Sequence, residues 1–132
     1  MNFLVDTHYL LWSLIEPERL DPLSRSILQN SVDTKYVSVV SFWEVSLKYA
    51  LGKLHLKGTT PEELIPAARE SGYQILDLGA GEAAGGHNLK PQAGHKDPFD
   101  RLLIWQCIQR GMTMLTADSR FTGYASQGLK LP

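Results

Sequence analysis

The chain has 132 residues, of which 43% are hydrophobic, and its 13 basic and 14 acidic side chains give a formal net charge of -1. This balance excludes nucleic-acid binding through a bulk basic excess, so any nucleic-acid partner has to be held by local contacts. The length and apolar content predict a single domain over residues 1–132 with a core of its own.

Cysteine usage and the lengths of the apolar runs predict the cellular compartment of the protein. The only cysteine, Cys107, lies in the apolar run "LLIWQCIQ" and has no second cysteine with which to form an intramolecular disulfide. We expect it to be a small core residue in a reducing compartment. No apolar run approaches the length that spans a bilayer, so we expect a cytoplasmic protein without a membrane partner.

The first elements alternate between strand and helix patterns. "NFLV" at residues 2–5 predicts a strand, and Asp6-Thr7 then begins a helix over "HYLLWSLI" that Pro17 ends. Asp21-Pro22 begins a second helix that runs to about Asn30, with proline at the first helical position. The run "YVSVVS" follows, and its β-branched residues predict the second strand.

The alternation continues to the end of the chain. Ser41 is the predicted N-cap of a helix over "FWEVSLKYAL" that ends at Gly52, and a further helix is predicted from Thr60 to Gly72. Strand "YQILDL", a weak helix at "AGEAAGG", a helix from Asp97 to Arg110 and strand "MTMLT" follow, and "LKL" can add a last strand. We therefore expect a three-layer α/β/α sandwich with a mostly parallel central sheet.

Four acidic residues follow the predicted strands or open the helices after them: Asp6, Glu44, Asp100 and Asp118. Each has a purely structural explanation, because helix N-termini favour acids. Ser41 and Glu44 fit a capping box, and Glu44 has Lys48 one turn further on as an ion-pair partner. Capping does not explain why all four share the carboxyl edge of one sheet, where open α/β proteins bind ligands.

A cation would explain the convergence of these carboxylates. Two unit charges about 4 Å apart repel by roughly 4 kcal/mol at an effective dielectric of about 20. Carboxylate clusters without cysteine or histidine suit Mg²⁺ or Mn²⁺, which promote phosphodiester hydrolysis. We expect Asp100 to be an inner ligand, because its apolar helix fixes it against the core, and Asp97 to cap that helix or hold an outer-sphere water.

The motifs "FLVDTHYLLW", "SVVSFWEVSLKYALGKL", "HKDPFDRLLIWQC" and "MLTADSRF" occur in this order across nearly the whole chain. In order and spacing the chain resembles the PIN-domain ribonucleases, specifically the VapC-type toxins of toxin–antitoxin pairs. The resemblance implies an Mg²⁺- or Mn²⁺-dependent endoribonuclease that cleaves single-stranded regions of RNA. It assigns catalysis and metal binding to Asp6, Glu44, Asp100 and Asp118, with Asp97 as an additional candidate ligand.

The resemblance also implies supporting residues and partners. Thr7 and Ser119 stand beside two of the acids and are candidates to contact a carboxylate or a metal-bound water, whereas His8 is better explained as a helix-surface residue. Proteins of this type usually form homodimers. They are neutralised by a small antitoxin whose C-terminal segment covers the acidic site, often with a basic residue among the carboxylates.

Contacts to RNA have to come from a few residues near the motifs. The candidates are Lys48, Lys96 and Arg101, with Lys53, Lys57, Lys90 and His95 further possibilities. Phosphate contacts by such residues position RNA without reading its sequence. The tryptophans Trp12, Trp43 and Trp105 are expected in the core or at an interface.

Other classes of function fit the sequence less well than a nuclease does. A PIN-like RNA- or protein-binding module without catalysis remains the main alternative, although it has no need to retain four acids. A phosphoacceptor domain or an aspartyl phosphatase fits poorly, because no second acid adjoins Asp6 or follows it two residues later. A metal-free ribonuclease would need a pair of cooperating histidines, and the four histidines show no spacing that suggests one.

Overall fold

The computed structural model describes residues 1–132, which form four strands and six α-helices. The strands are β1 (Asn2–Val5), β2 (Thr34–Ser38), β3 (Tyr73–Leu76) and β4 (Thr113–Leu115). The helices are α1 (Thr7–Ile15), α2 (Pro22–Gln29), α3 (Val39–Ala50), α4 (Leu64–Glu70), α5 (Ala80–Gly85) and α6 (Pro98–Arg110). Short 3-10 segments lie at Pro17–Arg19, Gly86–Asn88 and Ser119–Gln127.

The four strands form one sheet in the order β3-β2-β1-β4, and every neighbouring pair is parallel. β1 is a central strand: its Leu4 lies opposite Tyr36 of β2 on one side and Met114 of β4 on the other. Because all four strands run the same way, their carboxyl ends meet at one edge of the sheet. This arrangement confirms the predicted parallel sheet and gathers the loops that follow the strands.

Each face of the sheet is covered by its own apolar core. Leu4 packs with Leu103 and Ile104 of α6 on one face, whereas the next residue, Val5, packs with Tyr9 and Leu10 of α1 on the other. Successive side chains of a strand point to opposite faces, so a strand buried on both sides is apolar throughout, as "FLV" is. The predicted three-layer sandwich is confirmed.

The boundary between β2 and α3 differs from the prediction. β2 ends at Ser38, which is paired with Leu76, the last residue of β3, so the strand stops where its neighbour does. The Ser38 hydroxyl accepts the N–H of Val40 at 3.1 Å and is the actual N-cap of α3. Strand propensity at Val39 and Val40 is overridden by packing in the helix. The capping box predicted at Ser41 is therefore wrong, and Ser41 is a buried residue inside the helix.

Two smaller differences concern the ends of other elements. α4 begins at Leu64 after a turn, although the Thr60 hydroxyl still accepts the Glu63 N–H at 3.3 Å as a cap would. The C-terminal "LKL" contributes a single bridge between Lys130 and Thr113 rather than a strand. None of the helices has both the length and the apolar character needed to cross a membrane.

Candidate functional site

Asp6 lies at the end of β1 and caps α1. Its Oδ1 accepts the N–H of Tyr9 at 2.8 Å, and its Oδ2 accepts the hydroxyl of Thr116 at 2.5 Å. The residue is only 3% exposed. Burial raises the pKa of Asp6 to about 6, and the negative charge of Asp100 adds to the rise, although both hydrogen bonds and His8 oppose it. The local environment therefore disfavours the charged form of this carboxylate unless a cation compensates.

Glu44 projects from the second turn of α3 and is 2% exposed. Lys48, one turn further on, donates to Oε2 of the carboxylate, whereas Oε1 is buried and has no hydrogen-bond partner. Burial alone would lower the pKa of Lys48, but its hydrogen bond to Glu44 and the negative charges of Glu44, Asp97 and Asp100 together outweigh burial and raise the pKa. The predicted ion pair is present, and it satisfies only half of the carboxylate.

Asp97 and Asp100 open α6 and play different parts there. Oδ1 of Asp97 accepts the N–H groups of Phe99 and Asp100 at 2.9 and 3.0 Å, so the predicted N-cap is confirmed. Asp100 occupies the third helical position. The pKa of Asp100 is raised, mainly by burial and further by the charges of Asp97 and Glu44. A hydrogen bond from His95 opposes this rise without cancelling it. Asp100 is thus electrostatically connected to both Asp6 and Glu44.

Asp118 follows β4 and lies at the more exposed rim of the cluster. Arg120 donates to it through Nε and Nη2, with the shortest contact 2.7 Å from Nη2 to Oδ2, and this pairing lowers the pKa of Asp118. The Asp118 N–H donates to the Thr116 hydroxyl oxygen at 3.0 Å, and that hydroxyl donates to Asp6. Thr116 therefore links the two acids that follow β1 and β4.

His95 was not predicted to belong to the acidic cluster, which was expected to lack histidine. Its Nε2 lies 3.1 Å from Oδ2 of Asp100. His95, Asp100 and Asp118 each have one atom that could bind a metal ion, and these three atoms lie within 4.8 Å of one another. His95 is 2% exposed, so it has little surface to offer RNA. From sequence, His95 is a candidate only for RNA contact and Thr116 is not singled out, although each lies within five residues of a predicted acid.

Some of the predicted supporting and RNA-binding residues are exposed near the acids, whereas others are buried or bonded to other groups of the protein. Thr7 is buried and donates to the Ser41 hydroxyl at 2.9 Å rather than to a carboxylate. Ser119 is exposed beside Asp118, and Lys96 is exposed next to Asp97. The guanidinium of Arg101 is engaged internally with Leu89 and Tyr124, and the ammonium of Lys48 is engaged with Glu44. Of these residues, Lys96 has the freest cationic group near the site.

The residues present fit a hard divalent cation. Asp100 and Asp118, together with His95, form the one group of possible ligands whose atoms lie within 4.8 Å of one another. Asp6 and Glu44 lie outside that group at the same edge of the sheet, and each influences Asp100 through its charge. The buried Oε1 of Glu44 has no hydrogen-bond partner, an arrangement that is unfavourable without a further positive group. Oxygen ligands of this kind suit Mg²⁺ or Mn²⁺ better than a soft metal ion.

Comparison with known families agrees with this geometry. The family model for the PIN domain matches residues 3–126. The chain belongs to the PIN domain family. The match includes every acid of the cluster, from Asp6 to Asp118, and it confirms the family resemblance seen in the motifs. No curated protein sequence matches the chain.

Solved structures share this PIN fold at low sequence identity. One is a chain of VapBC2 from Rickettsia felis bound to a DNA fragment from their promoter, with a TM-score of 0.66 and 16% identity. Another is a chain of VapBC-1 from nontypeable Haemophilus influenzae, with a TM-score of 0.65 and 15% identity. The alignments cover 100% of this chain and 98% and 97% of the two neighbours. At this identity the likeness establishes the fold.

Proposed function

We propose that this protein is a metal-dependent endoribonuclease and the toxin of a VapC-type toxin–antitoxin pair. The observation that carries the proposal is the buried carboxylate cluster at the carboxyl edge of the sheet, in which one oxygen of Glu44 has no hydrogen-bond partner. Membership of the PIN domain family and likeness to chains of two VapBC structures support it. A scaffold without catalysis has no reason to bury several acids together.

The acids have separate roles in this proposal. Asp6, Glu44 and Asp100 hold Mg²⁺ or Mn²⁺, with Asp118 completing the site from its rim and Asp97 available to an outer-sphere water. The cation supplies positive charge for the scissile phosphodiester and for activation of the attacking water. The chain itself orients the carboxylates: Thr116 and the N–H of Tyr9 fix Asp6, and Lys48 fixes Glu44.

RNA is held in this proposal by a few cationic groups around the acids. Lys96 is exposed next to Asp97, and the Arg120 side chain is 54% exposed beside Asp118. Lys48 and Arg101 contribute positive potential near the site while bonded to other groups. Contacts of this kind bind phosphates without selecting a base, so target choice falls to single-stranded RNA shape.

An apolar groove beside the acids supports the partner part of the proposal. Val39, Trp43, Leu78, Phe99 and Leu102 line it, and Trp43 is 60% exposed. Asp97 and Asp100 flank Phe99 in the sequence, so an antitoxin segment lying in the groove would reach the acids. The proposal also includes a homodimer and action in the cytoplasm, where RNA is available.

The decisive experiment incubates the purified, antitoxin-free chain with single-stranded RNA in Mn²⁺ or Mg²⁺. An EDTA control and the Asp100→Asn variant are assayed beside it, and Asp77→Asn, which changes an exposed carboxylate, is the matched control variant. We expect cleavage by the wild type and Asp77→Asn. We expect cleavage to be lost by at least about 100-fold in EDTA and in Asp100→Asn, whose circular dichroism spectrum stays native.

Two results would contradict the proposal. Normal turnover by folded Asp100→Asn would remove this residue from the site, and cleavage that survives EDTA would indicate a contaminant or a metal-free reaction. If no RNA tested is cleaved, Mn²⁺ titration separates a nuclease of narrow specificity from the alternative binding module. The module predicts no saturable Mn²⁺ binding that depends on Glu44 and Asp100.

A further inference from the structure

His95 is a buried imidazole with both ring nitrogens engaged. Its Nε2 lies 3.1 Å from Oδ2 of Asp100, and its Nδ1 lies 2.8 Å from the hydroxyl of Tyr124. The ring packs against Phe121 and Tyr124, with centroid separations of 5.4 Å in both cases. The backbone N–H of His95 donates to the carbonyl of Gln92 at 3.2 Å. The ring is therefore held from several sides before any ligand binds.

The direction of these hydrogen bonds follows from Arg101. Its Nη1 donates to the Tyr124 oxygen at 3.3 Å, and its Nη2 donates to the carbonyl of Leu89 at 2.7 Å. A guanidinium has no acceptor, so the Tyr124 oxygen accepts from Arg101 and its own proton points to Nδ1 of His95. Tyr124 is fully buried, and the opposite arrangement would leave its O–H without a partner.

The tautomer of His95 is then determined. An imidazole that accepts at Nδ1 carries its proton on Nε2, which is the nitrogen that faces Asp100. A nitrogen that bears a proton cannot bind a metal ion, and the other nitrogen is occupied by Tyr124. His95 thus lies beside the acids, but neither of its ring nitrogens is free to bind a metal ion.

We propose that His95 is a positioning residue, which donates from Nε2 to Oδ2 of Asp100 and leaves the other oxygen of that carboxylate for the cation. The inference rests on the proposed function, because it takes Asp100 as a metal ligand. Hydrogen bonds to ligating groups orient them, and their loss typically weakens metal binding by about 10- to 100-fold. A series of hydrogen bonds therefore connects the interior to the proposed metal site. It runs from Arg101 through Tyr124 and His95 to Asp100.

Mn²⁺ binding to the full chain, followed by the electron paramagnetic resonance of free Mn²⁺, tests the role without relying on activity. We expect His95→Leu to bind Mn²⁺ about 10- to 100-fold more weakly than the wild type. His95→Gln retains an N–H donor and should recover most of the affinity. Tyr124→Phe keeps the ring but loses the hydroxyl and should weaken binding severalfold. His55→Gln, at an exposed histidine, is the matched control and should bind normally.

The tautomer provides a second readout, which tests the direction of the hydrogen bond between His95 and Asp100. In ¹⁵N-labelled protein, the imidazole nitrogen shifts of His95 should show a protonated Nε2 and an unprotonated Nδ1. The reverse tautomer would overturn the inference. So would wild-type Mn²⁺ affinity in His95→Leu, or a loss as complete as in Asp100→Asn that glutamine does not rescue, which would make His95 a ligand. If His95→Leu does not fold, unchanged affinity in Tyr124→Phe overturns the inference instead.

The same titration separates this inference from the proposed function. If the wild type binds no Mn²⁺, or if Asp100→Asn binds it as well as the wild type does, the metal site itself is wrong and the role of His95 falls with it. If Asp100→Asn loses binding and His95→Leu does not, only the role of His95 is overturned.

Discussion

Lys48 donates to one oxygen of Glu44 from one turn further along α3, and the other oxygen of that carboxylate is buried without a partner. The Glu44 side chain is 2% exposed, whereas that of Lys48 is 34% exposed. A single ammonium group therefore provides the whole hydrogen-bonded charge compensation of a buried carboxylate in the metal-free protein. If the proposed site binds a cation, that cation should add to the stability of the protein.

Lys48→Met should destabilise the metal-free protein by about 2 kcal/mol, because it leaves the buried Glu44 charge without its partner. Saturating Mn²⁺ should reduce that deficit, since the cation replaces the missing positive charge. Urea unfolding in EDTA and in Mn²⁺ measures both quantities. Lys53→Met, at an exposed lysine beyond the same helix, is the control. An equal deficit with and without Mn²⁺ would show that Glu44 does not contact the metal ion.

The contribution of Asp6 to stability in EDTA should fall as the pH rises. Its pKa is about 6 in the folded protein against 3.8 ordinarily, so its contribution is fully present below about pH 4 and is lost as the pH rises through about 6. The difference corresponds to about 3 kcal/mol at most. The groups that face the carboxylate are Thr116, the Tyr9 N–H, His8 and Asp100, and burial outweighs the three that stabilise its charge.

The pH prediction is tested by unfolding Asp6→Asn beside the wild type between pH 4 and pH 8 in EDTA. The variant should gain stability relative to the wild type as the pH rises, because asparagine carries no charge to bury. Asp77→Asn, at an exposed carboxylate, should follow the wild-type profile. A constant difference between Asp6→Asn and the wild type across this range would refute a raised pKa at Asp6.

Arg120 already pairs with Asp118, so a cation at the proposed site would compete with it. Its guanidinium contacts both carboxylate oxygens, and its side chain is 54% exposed. Exposed pairs of this kind are worth up to about 1 kcal/mol, so Arg120→Gln should tighten Mn²⁺ binding by up to about fivefold. The same variant should bind RNA more weakly, since it loses a phosphate contact. Calorimetric titration with Mn²⁺ and a filter-binding assay measure the two effects.

The opposite signs of these effects make the Arg120 prediction specific. Arg25→Gln removes an exposed arginine that donates to the carbonyl of Pro17, so it tests the loss of one positive charge elsewhere. It should leave both affinities close to the wild-type values. Weaker Mn²⁺ binding in Arg120→Gln would mean that Arg120 orients Asp118 for the cation instead of competing with it.

Cys107 should be unreactive in the folded protein. It is fully buried in α6, its thiol donates to the carbonyl of Met112 at 3.3 Å, and burial raises its pKa to about 12. Because the thiolate is the nucleophile, alkylation by iodoacetamide at pH 8 should occur only through unfolding. Mass spectrometry with and without urea measures it. Rapid labelling of the native protein would show that α6 opens locally.

Sequence patterns were sufficient for the sheet and for the edge at which the acids lie. The apolar strand "FLV" is buried on both faces. An acid that directly follows such a strand in a parallel sheet lies at the carboxyl edge of that sheet. Asp97 was recognisable as a cap because proline follows it. These inferences depend on neighbours in the sequence or on the common direction of parallel strands.

The remaining features depend on contacts between distant parts of the chain. Val39 and Val40 favour a strand by propensity, but β2 has no paired neighbour beyond Leu76, so the chain turns helical earlier than predicted. His95 lies in a Gly- and Pro-rich loop, and its role becomes visible only once Tyr124, 29 residues later, is beside it. The role of Thr116 likewise becomes visible only from its hydrogen bond to Asp6, 110 residues away in the sequence.

The hydrogen bond from Thr116 to Asp6 joins the first strand to the last, and it has a consequence for the protein's synthesis. β4, Thr116 and Asp118 are synthesised more than 100 residues after β1 and its acid. Until then a nascent chain holds Asp6 and Glu44 without the rest of the proposed centre. The proposed centre is therefore complete only after the last strand of the sheet has been translated.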